Sequence, residues 1–474
     1  MSPSRSRAAA PTRCRSAVGW GIAGTGLLLC GLAGCAPDGQ PDGVILVSID
    51  TLRADHLGAY GSTEGLTPNL DRFAAESIVF DDAYAQSNET LYSHASMFSS
   101  RYPSEIDALD SAFRLPAATP TLASVFSDAG WSTAAFVAGG HLSAAFGLGL
   151  GFADYDDSAS WGSLRDTGAH ALRWLDQRDD RPFFLFIHGY DPHDRYLKPP
   201  PFGYLHADPR YEGLAGELIR VAGATSGVVQ GHVVTSPDAL GDVALLHPRF
   251  GGTAIADVDP AAQAVSEADV KQIAGAYAGA VAWADASFGL LMAGLDARGL
   301  LDHTVVIVVS DHGEELGEYG SFNHRFTLSD ATLHVPLMVH LPRGAPRGTG
   351  RHVAGITELV DVAPTIWALA GVHPPTGMRG HALLSGPQNP RTSSPRTAAY
   401  SEGAMRLLSV RNATARLTAS GLSVENPMTA GLLAVAPVDG AALSLTGDAA
   451  QQQALRTKLV DRIGALQLAR RTRK

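Results

Sequence analysis

Asp50, His188 and the adjacent pair Asp311-His312 each close an apolar, β-branched run, and carboxylate oxygens and imidazole nitrogens are what a divalent cation binds. The runs are Val44–Asp50, Phe183–His188 and Thr304–Asp311. If they are parallel strands of one sheet, their carboxyl ends meet in one crevice, where open α/β sheets bind ligands. A single Asp after a strand is more often a turn former, so the convergence carries the argument. Asp311-His312 offers an oxygen and a nitrogen side by side, a compact half-site for Zn²⁺ or another divalent ion. Asp191 and His193 follow the second run, and His324 follows the third beyond a loop with Gly313, Gly317 and Gly320. Hydroxyls collect at Ser87-Asn88-Glu89-Thr90-Leu91-Tyr92-Ser93-His94-Ala95-Ser96, where a loop enters a helix. A helix start suits an anionic ester, because its free N–H groups and dipole stabilise negative oxygens. Thr90 or Ser93 could equally cap that helix, and hydroxyl character alone leaves both roles open.

The elements that must position these groups are legible as alternating strands and helices. The three runs read as strands buried on both faces, with weaker strands at 134–137 and 335–339, where Pro336 implies an edge or an irregular start. Helices are expected at 67–73, with Pro68 at its first position, at 121–129 closing on Gly130, and along 267–298. In the last, Tyr277, Val281, Ala284 and Phe288 share one face. The pattern predicts an α/β fold with a mainly parallel, mixed central sheet flanked by helices. Residues 43–385 form the expected main domain, with an insertion or lid at 199–262 rich in Pro, Gly and Ala. A linker at 385–397 precedes a small C-terminal α+β subdomain at 398–474, ending in a helix over 449–471.

Residues 1–35 read differently. Arg5, Arg7, Arg13 and Arg15 precede an apolar stretch, 17–33, that ends in Leu32-Ala33-Gly34-Cys35. That layout describes a secretory signal peptide, and its end resembles a bacterial lipobox. The implied arrangement is a lipid on Cys35, a tether over 36–42, and a body in the cell envelope, periplasmic or at the cell surface. An uncleaved membrane anchor is the alternative. All three cysteines, Cys14, Cys30 and Cys35, lie in this leader, so the body has no thiol chemistry. Losing the four arginines takes the net charge from −11 to −15, a poor balance for nucleic-acid binding.

Two stretches make a family resemblance specific. Val47-Ser48-Ile49-Asp50-Thr51-Leu52-Arg53-Ala54-Asp55-His56-Leu57-Gly58 with Thr67-Pro68-Asn69-Leu70-Asp71 resembles the opening of sulfatase-family proteins. Ser310-Asp311-His312-Gly313-Glu314-Glu315-Leu316-Gly317-Glu318 resembles the family's downstream metal motif. The resemblance implies a fold of the alkaline-phosphatase and sulfatase type. It makes Asp50, Asp311, His312 and Thr90 ligands of one divalent metal ion, with Zn²⁺ favoured over Ca²⁺, Mg²⁺ or Mn²⁺ because carboxylates are few. Thr51 stands where many members have a second metal-binding Asp.

Thr90 falls at the position of the Cys or Ser that sulfatases oxidise to formylglycine. Thr cannot give that aldehyde, and Tyr92 and His94 replace the Pro and Arg of the modification signal. Thr90 instead resembles the nucleophile of phosphoryl-handling relatives such as the lipid A phosphoethanolamine transferases. By that likeness His193 and His324 assist the leaving group as catalytic residues, and His188, His141 and His94 bind substrate. The expected function is a metal-dependent hydrolase or transferase of phosphate or sulfate esters on a small molecule, lipid headgroup or glycan. A sulfatase working without formylglycine, and a catalytically dead lipid-anchored binding protein, are the competing expectations.

Overall fold

Gly43–Ile49 has no polar residue except Ser48, and in the computed structural model it is buried along its whole length. Successive side chains point to opposite faces, so Val44 and Leu46 enter one apolar core while Ile45, Val47 and Ile49 enter the other. Each fully buried large apolar side chain contributes about 1.5–3 kcal/mol, which is why such a strand lies at the centre of a sheet covered on both faces. The structure describes residues 40–106, 113–212 and 266–420, with gaps at 160, 194–195, 197, 319–321, 325–326, 344–349, 387–395, 404–406 and 414. It also describes backbone at 232–234, 244–246, 431–437 and 457–458.

In chain order the elements begin β1 (Gly43–Ile49), α1 (Pro68–Ala75), β2 (Ile78–Tyr84), α2 (Thr90–Ser99), α3 (Leu122–Asp128), β3 (Ser132–Phe136), β4 (Asp154–Asp156), α4 (Leu164–Gln177) and β5 (Phe183–Gly189). They continue with β6 (His232–Val234), β7 (Ala244–Leu246), α5 (Glu267–Ala297), β8 (Thr304–Val309), β9 (Glu315–Leu316) and β10 (Phe322–Asn323). Then come α6 (Asp330–Leu333), β11 (His334–Val335), β12 (Leu337–His340), β13 (Arg351–Glu358) and α7 (Val362–Ala370). The last are β14 (Ala399–Gly403), β15 (Leu407–Arg411), β16 (Ala415–Ser420) and β17 (Gly431–Pro437).

Among the described residues the central sheet has nine strands in the order β11-β2-β12-β8-β1-β5-β3-β4, with β13 also paired to β2. β8, β1, β5, β3 and β4 are mutually parallel, and β12 runs antiparallel between β8 and β2. The mainly parallel, mixed sheet matches the expected fold class. Helices α1, α4 and α5 supply one core, and α2, α3 and α7 the other. Ser266 caps α5 in a capping box, and Tyr277, Val281, Ala284 and Phe288 are fully buried as one face. Gly130 follows α3 at φ +82°, a left-handed conformation that suits glycine.

Several expectations need amendment. The strand expected at 335–339 is two pieces, β11 and β12, divided at Pro336, which has no N–H for a ladder. Of the edge or irregular start that Pro336 implied, the irregular start is what is found, since β12 itself lies inside the sheet. Arg396, placed in the linker, is bound to the body: its guanidinium reaches Asp361 at 2.5 Å and Glu358 at 3.0 Å. The described part of the insertion holds a short 3₁₀ turn at Phe202–Tyr204 and the antiparallel pair β6–β7. Strands β14 to β17 form a four-stranded antiparallel sheet. The leader at 1–35, most of the tether at 36–42, and the helix expected over 449–471, apart from helical Thr457 and Lys458, lie outside the described residues. A cavity of about 560 Å³, lined by Val125, Trp131, Val372, Pro374 and Pro375 among others, opens at the amino edge of the sheet, the edge opposite the groups that carry chemistry.

Candidate active site

The carboxyl ends of β1, β5 and β8 are adjacent, because β1 pairs in register with both neighbours. Asp50 follows β1, His188 is the penultimate residue of β5, and Asp311-His312 follows β8. Thr90 is the first residue of α2, after Glu89 at the cap position. Its hydroxyl does not cap the helix. It donates to Asp50 Oδ2 at 3.1 Å and lies 3.2 Å from His312 Nε2. Ser93, the other hydroxyl considered, donates to the Asp311 carbonyl at 2.7 Å and so serves the backbone.

Ligand atoms of Asp50, Asp311 and His312 all lie within 4.8 Å of one another, and the three residues are fully buried. Among the described residues, Asp50 Oδ1 and Asp311 Oδ2 have no hydrogen-bond partner. A buried carboxylate oxygen without a partner costs about 1–3 kcal/mol or more, and a cation between the two removes that cost. His312 Nδ1 lies 3.0 Å from the Gly313 carbonyl, which makes it the donor and leaves the Nε2 lone pair facing the cluster. The donor set therefore fits one divalent cation. Burial, then the charge of Asp311, pushes the Asp50 carboxyl up to about 7. For Asp311 burial acts in the same direction, but the imidazoles of His312, His94 and His188 outweigh it and hold the group below the ordinary range. Two carboxylates so close do not both stay charged easily, which is a further reason the pair suits a cation.

His94 and His188, the expected substrate-binding residues, lie against the carboxylates of the cluster. Both are completely buried, behind the carboxylates. His188 Nε2 lies 3.2 Å from Asp50 Oδ2. His94 Nδ1 lies 2.8 Å from the Thr90 carbonyl and 3.5 Å from Asp311 Oδ2, while its Nε2 faces Ser48 Oγ at 3.0 Å. Burial pushes His94 down to about 4 and His188 down to about 3, so both are neutral near pH 7. Their contacts run to Thr90 and to the two carboxylates.

His193 and His324 are at the site. Their ring centroids are 5.1 Å apart, and that of His324 is 4.3 Å from His312. Glu314, fully buried, faces His324 Nδ1 at 3.3 Å. His141 stands further out, 5.9 Å ring to ring from Trp161. Asp191 is not part of the cluster: its Oδ2 accepts the Leu164 N–H at 2.6 Å where α4 begins. Thr51, where a second metal-binding Asp was considered, has φ +55°. Its N–H points to Asp311 Oδ1 at 3.4 Å and its carbonyl accepts the Tyr277 hydroxyl at 2.7 Å. A β-branched residue in that region is strained by about 1–3 kcal/mol, and such strain collects at functional sites. Sequence reasoning gave no role to Ser48, Glu314, Trp161 or Tyr190. Ser48 carried a signal as the one polar residue within an otherwise apolar strand, and Glu314 as part of the Asp311-His312-Gly313-Glu314 stretch.

Carboxylates, imidazoles and a helix-start hydroxyl thus gather at the carboxyl edge of a parallel sheet in an α/β fold. The family model described as Sulfatase matches residues 43–372, and the chain belongs to the sulfatase family, within the alkaline-phosphatase superfamily. It is similar to PehA of Trinickia caryophylli, a multifunctional alkaline phosphatase superfamily protein, at 28% identity over 217 residues. That alignment covers 45% of this chain and only 39% of PehA. N-acetylglucosamine-6-O-sulfatase of Bacteroides thetaiotaomicron is 25% identical over 416 residues, covering 74% of this chain and 72% of that protein. The fold is shared with the phosphonate monoester hydrolase of Agrobacterium radiobacter at a TM-score of 0.65 and 19% identity, over 90% of this chain and 96% of the other.

Proposed function

We propose that this chain is a metal-dependent ester hydrolase whose nucleophile is the unmodified Thr90 hydroxyl, acting on phosphate or sulfate esters. The observation that carries the reading is the Thr90 hydroxyl held between Asp50 and His312 at the start of α2, beside two buried carboxylate oxygens that accept no hydrogen bond from the described residues. Asp50, Asp311 and His312 would hold the cation, which when bound polarises ester oxygens and eases ionisation of a neighbouring hydroxyl. Zn²⁺ suits the mixed oxygen and nitrogen donors best, with Ca²⁺, Mg²⁺ or Mn²⁺ as the other candidates.

The chain's own residues then do the following work. Asp50 and His312 aim Thr90 Oγ1 at the phosphorus or sulfur. The Thr90 hydroxyl proton passes along its hydrogen bond to Asp50 Oδ2. A bond forms to Thr90 Oγ1 as the bond to the leaving oxygen breaks, and His193 or His324 gives that oxygen a proton. Water, or an acceptor alcohol, then displaces the ester from Thr90. The imidazole regains its proton from that incoming water or alcohol as Asp50 returns its own to Thr90 and restores the hydroxyl. The N–H groups at the start of α2 face the accumulating negative charge. Phosphoryl esters lead the proposal, because a Thr hydroxyl remains a hydroxyl and the body has no cysteine to oxidise. The similarity to an N-acetylglucosamine-6-O-sulfatase supports a second reading, sulfate-ester hydrolysis by the same hydroxyl without formylglycine.

The test is substitution of Thr90 by Ala in metal-reconstituted protein, assayed on phosphomonoesters, phosphodiesters and aryl sulfates. Loss of turnover by at least about 100-fold on one class is expected, and that class names the ester. Undiminished turnover on all classes ends the proposal, and no turnover by the unsubstituted protein on any of them favours a binding protein that keeps the fold. The proposal also places the body in the bacterial cell envelope, held to the membrane by a lipid on Cys35. Cys35→Ser should release it into the soluble fraction, and unchanged membrane fractionation contradicts the anchor.

A further inference from the structure

Trp161 is exposed at 44% and has φ +57°, a left-handed backbone that tryptophan rarely adopts. Its segment is nonetheless clamped. The Gly162 N–H donates to the Ala138 carbonyl at 3.2 Å, and the Gly162 carbonyl accepts the Tyr190 N–H at 3.0 Å. Gly139, at φ +71°, lets this segment approach, since a Cβ there would fall 1.9 Å from the Ala159 carbonyl oxygen. The indole is an exposed ring on a fixed backbone.

Its surroundings tie it to the reacting centre. The indole centroid lies 4.7 Å from Tyr190, 5.5 Å from His193 and 5.9 Å from His141. From His193 the rings continue to His324 at 5.1 Å and to His312 at 4.3 Å, and His312 Nε2 is 3.2 Å from Thr90 Oγ1. Trp161 therefore ends a line of rings that starts beside the nucleophile and passes both candidate proton donors. A group attached to an oxygen protonated by His193 extends toward the indole, while the transferred phosphoryl or sulfuryl group stays at Thr90.

We infer that Trp161, flanked by Tyr190 and His141, is a leaving-group subsite that stacks a six-membered ring of the ester. The indole supplies an apolar platform, and half-buried His141 adds a hydrogen-bonding edge beside it. A phenyl ring offers that platform a flat π face, and a pyranose offers it the apolar C–H face of its chair. The inference rests on the Thr90 proposal for which side of the ester departs, but the stacking needs no turnover.

The experiment is calorimetric binding to metal-reconstituted Thr90→Ala protein of glucose 6-phosphate, phenyl phosphate and ring-free ethyl phosphate. Each is measured with Trp161 intact, Trp161→Phe and Trp161→Ala, after melting curves confirm that the variants fold. At least one ring-bearing ester should bind more tightly than ethyl phosphate. Trp161→Ala should weaken it about tenfold, Trp161→Phe should keep most of the affinity, and ethyl phosphate should change by less than about twofold. Which ring responds names its source. Equal affinity for all three esters, equal weakening of all three, or no weakening of any overturns the subsite. A ring-dependent effect in a protein that shows no turnover with Thr90 restored leaves the subsite standing and removes the hydrolase proposal.

Discussion

Asp50 Oδ2 takes the Thr90 and His188 contacts and Asp311 Oδ1 takes two backbone N–H groups, which leaves Asp50 Oδ1 and Asp311 Oδ2 without a hydrogen bond among the described residues. The hydrogen bonds thereby select which lone pairs remain for a cation. Asp311→Asn preserves shape and removes charge; metal content measured by elemental analysis should fall at least about tenfold, with full occupancy contradicting the assignment. Glu315 gives a pH prediction outside the cluster. Burial pushes it from 4.5 up to about 7 despite hydrogen bonds from Ser329 and Thr327. Its folded-state pKa is above the unfolded one, so the folded protein binds the extra proton and stability falls as pH rises from about 4.5 through 7. Glu315→Gln should flatten that fall, by on the order of 3 kcal/mol at pH 8, in denaturant midpoints compared at pH 5 and pH 8. Parallel curves for the two proteins would contradict it.

At the scale of elements, α5 reaches into the site through one hydroxyl. Tyr277 donates to the Thr51 carbonyl at 2.7 Å and accepts the Arg53 N–H at 3.1 Å, which holds the strained turn after β1. Tyr277→Phe should cost about 1–3 kcal/mol in unfolding free energy and lower metal occupancy, because Thr51 adjoins Asp50. An unchanged denaturant midpoint would show that the turn holds itself. The elements that were legible in the sequence are those whose reason is local. β1, β5 and β8 are apolar runs buried on both faces, and α5 has a cap and a buried stripe through Tyr277, Val281, Ala284 and Phe288. β2 went unread because Asp81 and Asp82 interrupt its apolar run, and β13 because its first half is mostly exposed. The strand-end residues of the site were readable for the same reason as the strands. The buried support was not, since nothing in a sequence tells that His94 faces inward to Ser48 while His193 faces the mouth. Trp161 lay in a loop without periodicity, and its value comes from neighbours distant in the chain.

For the molecule as a whole, one cation would join the ends of β1 and β8, beside the start of α2, which come together only in the folded state. Folding and metal binding are therefore coupled, and a chelator should lower the melting temperature by several degrees, with recovery on adding back the divalent ion. A melting temperature indifferent to chelation would separate the cluster from any metal. The buried pairs of Arg396 with Glu358 and Asp361 tie the segment before β14 to the end of β13, so the C-terminal sheet is attached by desolvated charges as well as by backbone. Their geometry was invisible in a stretch that reads as a polar linker.

The most direct measurement is to quench the metal-loaded protein with acid during turnover of its ester and map the adduct by mass spectrometry. A phosphoryl or sulfuryl group on the peptide carrying Thr90, absent from Thr90→Ala, is the predicted result. Sustained turnover with that peptide unmodified, or with the adduct on another residue, would contradict Thr90 as the nucleophile.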